Sequence, residues 1–144
     1  MLFDLINNFS NQYKFNTIAI ENIISKIATN EDKAIQSINL ILSTDIHLNK
    51  LKKQYFHKDH YTDVISFNLE EEGDLIDGEI YISMDRIIDN ASQFNCNSNE
   101  ELTRIIIHGV LHLIGYNDDN TEQKETMTNL ENFYMSECSE SIII

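Results

Sequence analysis

Two imidazoles, His108 and His112, stand four residues apart inside a run of apolar residues, and Asp118 follows six residues after the second. On a helix, residues four apart lie one turn above one another. Two such imidazoles can converge on a single ion, as in the helix of zincin metalloproteases. Gly115 lets the chain leave the helix and turn back, bringing Asp118 within reach. Two histidines and a carboxylate form a three-ligand set with a fourth position left for water, and zinc lowers the pKa of that water to about 7. Asp119, one residue further on, is an alternative third ligand. A lone histidine on an apolar helix is usually a satisfied core residue. A pair at this spacing, followed by a glycine and an acid, favours ligation, because unpaired buried imidazoles are costly. The expectation is one zinc ion held by His108, His112 and Asp118 and used for hydrolysis.

The zincin pattern also places a glutamate beside the first histidine as general base, a role worth about 10²–10⁴ in rate. Here that position is Gly109, which cannot take a proton. Peptide hydrolysis by that route is disfavoured, whereas phosphodiester cleavage loses less. Arg104, one turn before His108, shares the ligand face. It is a candidate catalytic residue that holds a phosphate or pairs with an acid, and pairing is preferred because structural ion pairs are common.

The segment carrying the ligands is apolar nearly all round, so its helix is buried. It starts at Ser98, with Glu101 completing a capping box, and runs to about Leu113. Other helices are predicted over residues 17–28, 84–95 and 121–136, from apolar spacing and from Asn16 or Thr17 and Asn120 as N-caps. Residues 45–56 read as a polar helix or turn. Residues 37–43 suit a strand. Residues 63–69 and 76–82 alternate with period two, and the acidic, Gly73-containing connection suggests a hairpin. The result is an α+β fold with a small sheet against several helices. The terminal Ser-Ile-Ile-Ile has no predicted place.

At 144 residues the chain suits a single domain, 1–144. No apolar run reaches the 18 or more residues that span a bilayer, and the start does not resemble a secretory signal. A soluble cytoplasmic protein without membrane attachment is expected. Cys96 and Cys138 read as free thiols. The net charge of −14 opposes indiscriminate attraction to polyanions. Yet Lys50, Lys52, Lys53 and Lys58 supply four of the ten lysines and arginines, with His47, His57 and His60 around them as simple surface residues. The acids cluster elsewhere, among them Glu70, Glu71, Glu72, Asp74, Asp77 and Glu79. A locally basic edge on an acidic body competes with a solvated helix face.

The segment His108-Gly109-Val110-Leu111-His112-Leu113-Ile114-Gly115-Tyr116 resembles the hallmark HGxLHLxGYxH of the YbeY family of bacterial rRNA-maturation endoribonucleases. Asp118 stands where most members carry a third histidine. Leu48-Asn49, then Lys58-Asp59-His60-Tyr61-Thr62-Asp63-Val64-Ile65-Ser66-Phe67, resemble a second family block, and Gly78-Glu79-Ile80-Tyr81-Ile82-Ser83 a third. Together they cover about residues 45–135. The resemblance implies an α+β fold, one zinc ion, and cleavage of single-stranded RNA in late rRNA processing and ribosome quality control. It also implies a cytoplasmic location and partners at the ribosomal small subunit. Phe56 stands where many members carry an arginine. If that arginine contacts phosphate, Lys58, Lys53, Arg86 or Arg104 serves here instead, or the chain is a weaker nuclease; Lys52, Lys53 and Lys58 are expected to help seat phosphates. Two other readings stay open: a ribosome-assembly binding factor with a structural metal, and another zinc hydrolase such as a metallopeptidase.

Overall fold

The alternating and helical apolar patterns resolve into a four-stranded mixed sheet with helices, in a computed structural model that describes residues 1–69 and 75–144. In chain order the elements are β1 (Leu2–Asn7), α1 (Thr17–Asn30), β2 (Ile35–Ser43), α2 (Asp45–Leu51), a π-helical turn (Lys52–Phe56), β3 (Val64–Asn68), β4 (Ile76–Ser83), α3 (Met84–Gln93), α4 (Ser98–Leu113) and α5 (Thr121–Ser136). The strands lie in the order β1-β2-β4-β3. β2 pairs in parallel with both β1 and β4, and β3 runs antiparallel to β4. The expected connection at 70–74 lies outside the described residues, but the strands it joins pair directly, Val64 opposite Ile82 and Ser66 opposite Ile80.

Period two sends one set of side chains to each face of the sheet. Ile38, Leu40, Leu42, Ile80 and Ile82 point to one face and join Ile106, Ile107, Val110 and Leu111 of α4 in one buried core. At about 25 cal/mol per Å² of apolar surface removed from water, such burial is the main stabilising term. On the other face Phe67 meets Tyr55 and Phe56 of the π-helical turn, and Tyr81 meets Phe67 edge-on.

α4 crosses the sheet at Gly109. A Cβ there would lie 3.1 Å from Ile80 and 3.2 Å from Val64. The Ser66 hydroxyl donates to the Gly109 carbonyl at 2.9 Å, tying strand to helix. The glycine allows this close approach, so the position held by glutamate in zincins faces the sheet in this chain, where a side chain would crowd Ile80, Val64 and Ser66.

Several expected features shift. The N-cap of α4 is Asn97, one residue earlier than the expected Ser98, and its side chain accepts from the Glu100 amide at 2.8 Å. Asparagine is as good a cap as serine, so the spacing alone could not separate the two. β1 was not anticipated: Leu2 and Ile6 are apolar yet exposed on the outer face, which blurs the alternation that partly buries Phe3 and Leu5 against the core. The terminal isoleucines are tied down as well. Ile142 is fully buried, and its amide and that of Ile143 both donate to Asn99 Oδ1. His47 is half-buried, with Nδ1 2.7 Å from the Ser43 hydroxyl and its ring edge-on to Tyr81. It is thus no simple surface residue, unlike the exposed His57 and His60.

Candidate metal centre

α4 delivers His108 and His112 from successive turns, with ring centroids 4.5 Å apart. The helix then ends in a Schellman motif. The Tyr116 amide donates to the Leu111 carbonyl at 3.0 Å and the Gly115 amide to that of His112 at 3.1 Å. Gly115 supplies the required left-handed conformation, with φ of 117°. A Cβ there meets nothing within 4 Å, so alanine pays only in backbone conformation. Gly115→Ala is expected to lower stability by about 1 kcal/mol, measured by denaturant unfolding.

This reversal returns Asp118 to the histidines. Its Oδ2 lies 3.6 Å from His108 Nε2 and 3.4 Å from His112 Nε2, and the three donor atoms lie within 4.8 Å of one another. Ligands about 2.0–2.1 Å from a tetrahedral zinc ion stand ~3.4 Å apart. The donor set therefore fits such an ion with little movement. Among the described residues it is the one cluster of at least three such donors, and Asp119 is not part of it.

His108 Nδ1 lies 2.6 Å from Glu131 Oε2, on α5. That carboxylate fixes the ring so that Nε2 faces the shared point, the usual role of an outer carboxylate at a metal-bound histidine. Arg104 in turn donates from NH1 to Glu131 Oε1 at 3.1 Å and from NH2 to Asn132 at 3.0 Å. The expected pairing of Arg104 with an acid is thus present. Burial lowers the basicity of His108, but Glu131, with Asp118 and Asp63, reverses this and leaves its pKa above the ordinary value. Sequence reading missed Glu131. Its signal was an acid at the centre of the Met127 and Tyr134 stripe, where it is buried with them.

A second carboxylate pair anchors the ligand turn. The hydroxyls of Tyr116 and Tyr134 both donate to Glu31, at the end of α1. Tyr116 lies two residues before Asp118, so this contact links the turn to α1 and α5. Nearby, burial raises the pKa of Glu101, with Asn90 opposing through a hydrogen bond and Arg104 through its charge. A carboxyl whose folded pKa is raised destabilises the fold as pH rises from its unfolded value through the folded one. Glu101→Gln is accordingly expected to raise the melting temperature at neutral pH. The gain should vanish below the ordinary glutamate range, as thermal melts across pH would record.

The donors lie at a cavity of about 640 Å³ also lined by Asp63, Ser66, Asp119, Phe56 and Lys52. Burial pushes the Asp63 carboxyl up, and His108 partly restores it; the sequence reading gave this residue no role. Among the lining residues Lys52 is the one lysine or arginine. Burial and then Lys58 hold its pKa below the ordinary value. Lys53 is exposed, 3.5 Å from Asp59. Arg86 lies outside the cavity lining and pairs with Asp45 and Asp89, each at 3.1 Å. No helix among the described residues is long and apolar enough to cross a membrane.

Comparison with known proteins agrees with this geometry. A family model described as endoribonuclease YbeY matches residues 5–139. An endoribonuclease YbeY of Amoebophilus asiaticus is 38% identical over 125 residues, covering 86% of this chain and 85% of its own length. That of Christiangramia forsetii is 40% identical over 110 residues, covering 76% of each. A Thermotoga maritima protein solved in solution superposes with a TM-score of 0.63 at 27% identity, covering 95% of this chain and 89% of the other. A shared core, a shared sequence over most of its length and the convergent His-His-Asp donors lead to one conclusion: this chain belongs to the YbeY endoribonuclease family.

Proposed function

We propose that residues 1–144 form a single metal-dependent hydrolase domain, a zinc-dependent endoribonuclease that cleaves single-stranded RNA in the cytoplasm. The observation carrying this reading is a three-donor metal set opening on a cavity of about 640 Å³. A structural zinc site closes with four protein ligands, whereas a catalytic one keeps three and a free position. That distinction favours catalysis over a purely structural metal. The packing of Gly109 against β3 and β4 weighs against a metallopeptidase of the zincin type.

A bound zinc ion supplies Lewis acidity toward a phosphoryl oxygen and activates water near neutral pH. The protein's own groups do the rest. Glu131 holds His108 with Nε2 directed inward, and Arg104 holds Glu131 in place. Lys52 presents an ammonium at the cavity, where three lining carboxylates (Asp63, Asp118 and Asp119) would otherwise repel a phosphodiester. Lys58 extends that positive edge along the approaching strand, whereas Asp59 offsets Lys53; Arg86, held by two aspartates, is the weakest of the expected phosphate contacts. Family membership supports rRNA maturation and ribosome quality control as the setting, with rRNA and the ribosomal small subunit or its associated factors as partners.

The zinc-loaded protein should cut single-stranded RNA and leave a duplex of the same sequence intact on a denaturing gel. Turnover of a peptide panel with inert RNA would overturn the reading.

A further inference from the structure

The geometry points to a base-stacking platform for single-stranded RNA, made by Tyr55 and Phe56 of the π-helical turn and continuous with the metal cavity. This rests on the endoribonuclease reading and specifies how that site takes its strand.

Four aromatic rings meet on the sheet face opposite α4. Phe56 stacks on Phe67 with centroids 5.8 Å apart and planes 23° apart. Tyr55 meets Phe67 edge-on at 5.4 Å, and Phe67 meets Tyr81 at 5.9 Å. Phe67 and Tyr81 are part-buried, but Tyr55 is 57% and Phe56 41% exposed. Large aromatic rings held rigidly from below and open to solvent are what single-strand-binding proteins offer to unpaired bases. The π-helical turn that presents them is a rare conformation, frequent at functional sites.

Charge selects the occupant. In a chain of net charge −14, Lys52 and Lys53 share this turn and Lys58 follows it. Asp59 offsets Lys53, and Glu79 bonds the Tyr81 hydroxyl at the far end. Among the described residues neither Lys52 nor Lys58 is held in a salt bridge, and Lys52 lines the cavity. Its ammonium sits 4.6 Å from the Phe56 ring centroid. A cation held by an exposed ring is weakly fixed, and a phosphate attracts it more strongly. An incoming strand can thus lay a base on Phe56 while Lys52 turns to the adjoining phosphate. Phe56 also lines the cavity, so the stacked base neighbours the phosphodiester at the metal donors.

The chain has no tryptophan, so Phe56→Trp introduces a single indole at the platform. Its fluorescence is expected to be quenched by single-stranded RNA and little changed by an abasic strand of equal length and charge. In parallel, fluorescence anisotropy on the cleavage-blocked His112→Ala background compares base-bearing with abasic strands. Loss of one stacked base by Phe56→Leu should weaken binding of the base-bearing strand about tenfold and leave the abasic strand unchanged. Equal binding of both strands by the Phe56-bearing protein, or RNA binding without indole quenching, would overturn the platform. Such results would leave RNA cleavage by the native chain standing. Absence of cleavage alongside base-dependent binding would instead overturn the nuclease reading alone. If the rings dock a protein, Phe56→Leu leaves both strands bound as before, which also refutes the platform.

Discussion

His112→Ala is expected to abolish both stoichiometric metal binding and RNA cleavage while the fold survives. The side chain is half-buried and one of three donors, so its loss leaves His108 and Asp118 with a two-ligand site. Two ligands hold zinc far more weakly than three, and the ion contributes several kcal/mol to transition-state charge stabilisation. Cleavage should fall at least 10³-fold. Circular dichroism should show the native helix content, because the core of α4 is formed by Ile106, Ile107, Val110 and Leu111. Metal analysis and single-turnover cleavage on one preparation check both halves.

Glu131→Ala carries the second largest effect. It removes the partner of His108 Nδ1 and leaves Arg104, part-buried, without its acid. Mutating an outer carboxylate of this kind typically costs 10–100-fold in metal affinity or activity. A drop of that size in zinc affinity by competition titration is expected, together with weaker cleavage that added zinc partly restores. Glu131→Gln should be milder for His108, since an amide oxygen still accepts from the ring nitrogen. It weakens the Arg104 pair, however, by removing the charge. An unchanged zinc affinity in Glu131→Ala would show that the carboxylate only supports packing.

These two residues also divide what the sequence made legible from what it hid. The histidines announced themselves because they break an otherwise apolar helix, and Gly115 followed by Asp118 is a local turn. Everything from His108 to Asp118 spans eleven residues, so helical period and cap chemistry were enough to bring the donors together. Glu131 lies 23 residues on, on another helix, and its pairing with His108 depends on how α5 packs against α4. Local patterns carry no such information. The same holds for the Glu31 contact with Tyr116, 85 residues away.

For the fold, strands and helices with clean periodicity were readable. β1 was not, since its outer face carries Leu2 and Ile6 where polar residues would have marked it as an edge. The alternation in β3 was seen, but it gave no hint that Val64 and Ser66 form the face against Gly109. The lysines show the same limit from the other side. Proximity in sequence grouped Lys52, Lys53 and Lys58, yet of the three only Lys52 lines the cavity, and Lys53 lies 3.5 Å from Asp59 instead.

The most direct test of a working metal centre is a strip-and-restore titration of the native chain. Chelation should silence cutting of a labelled single-stranded RNA, and zinc added back should restore it in proportion, saturating at one ion per chain. RNA cutting that continues undiminished with no metal bound would contradict it.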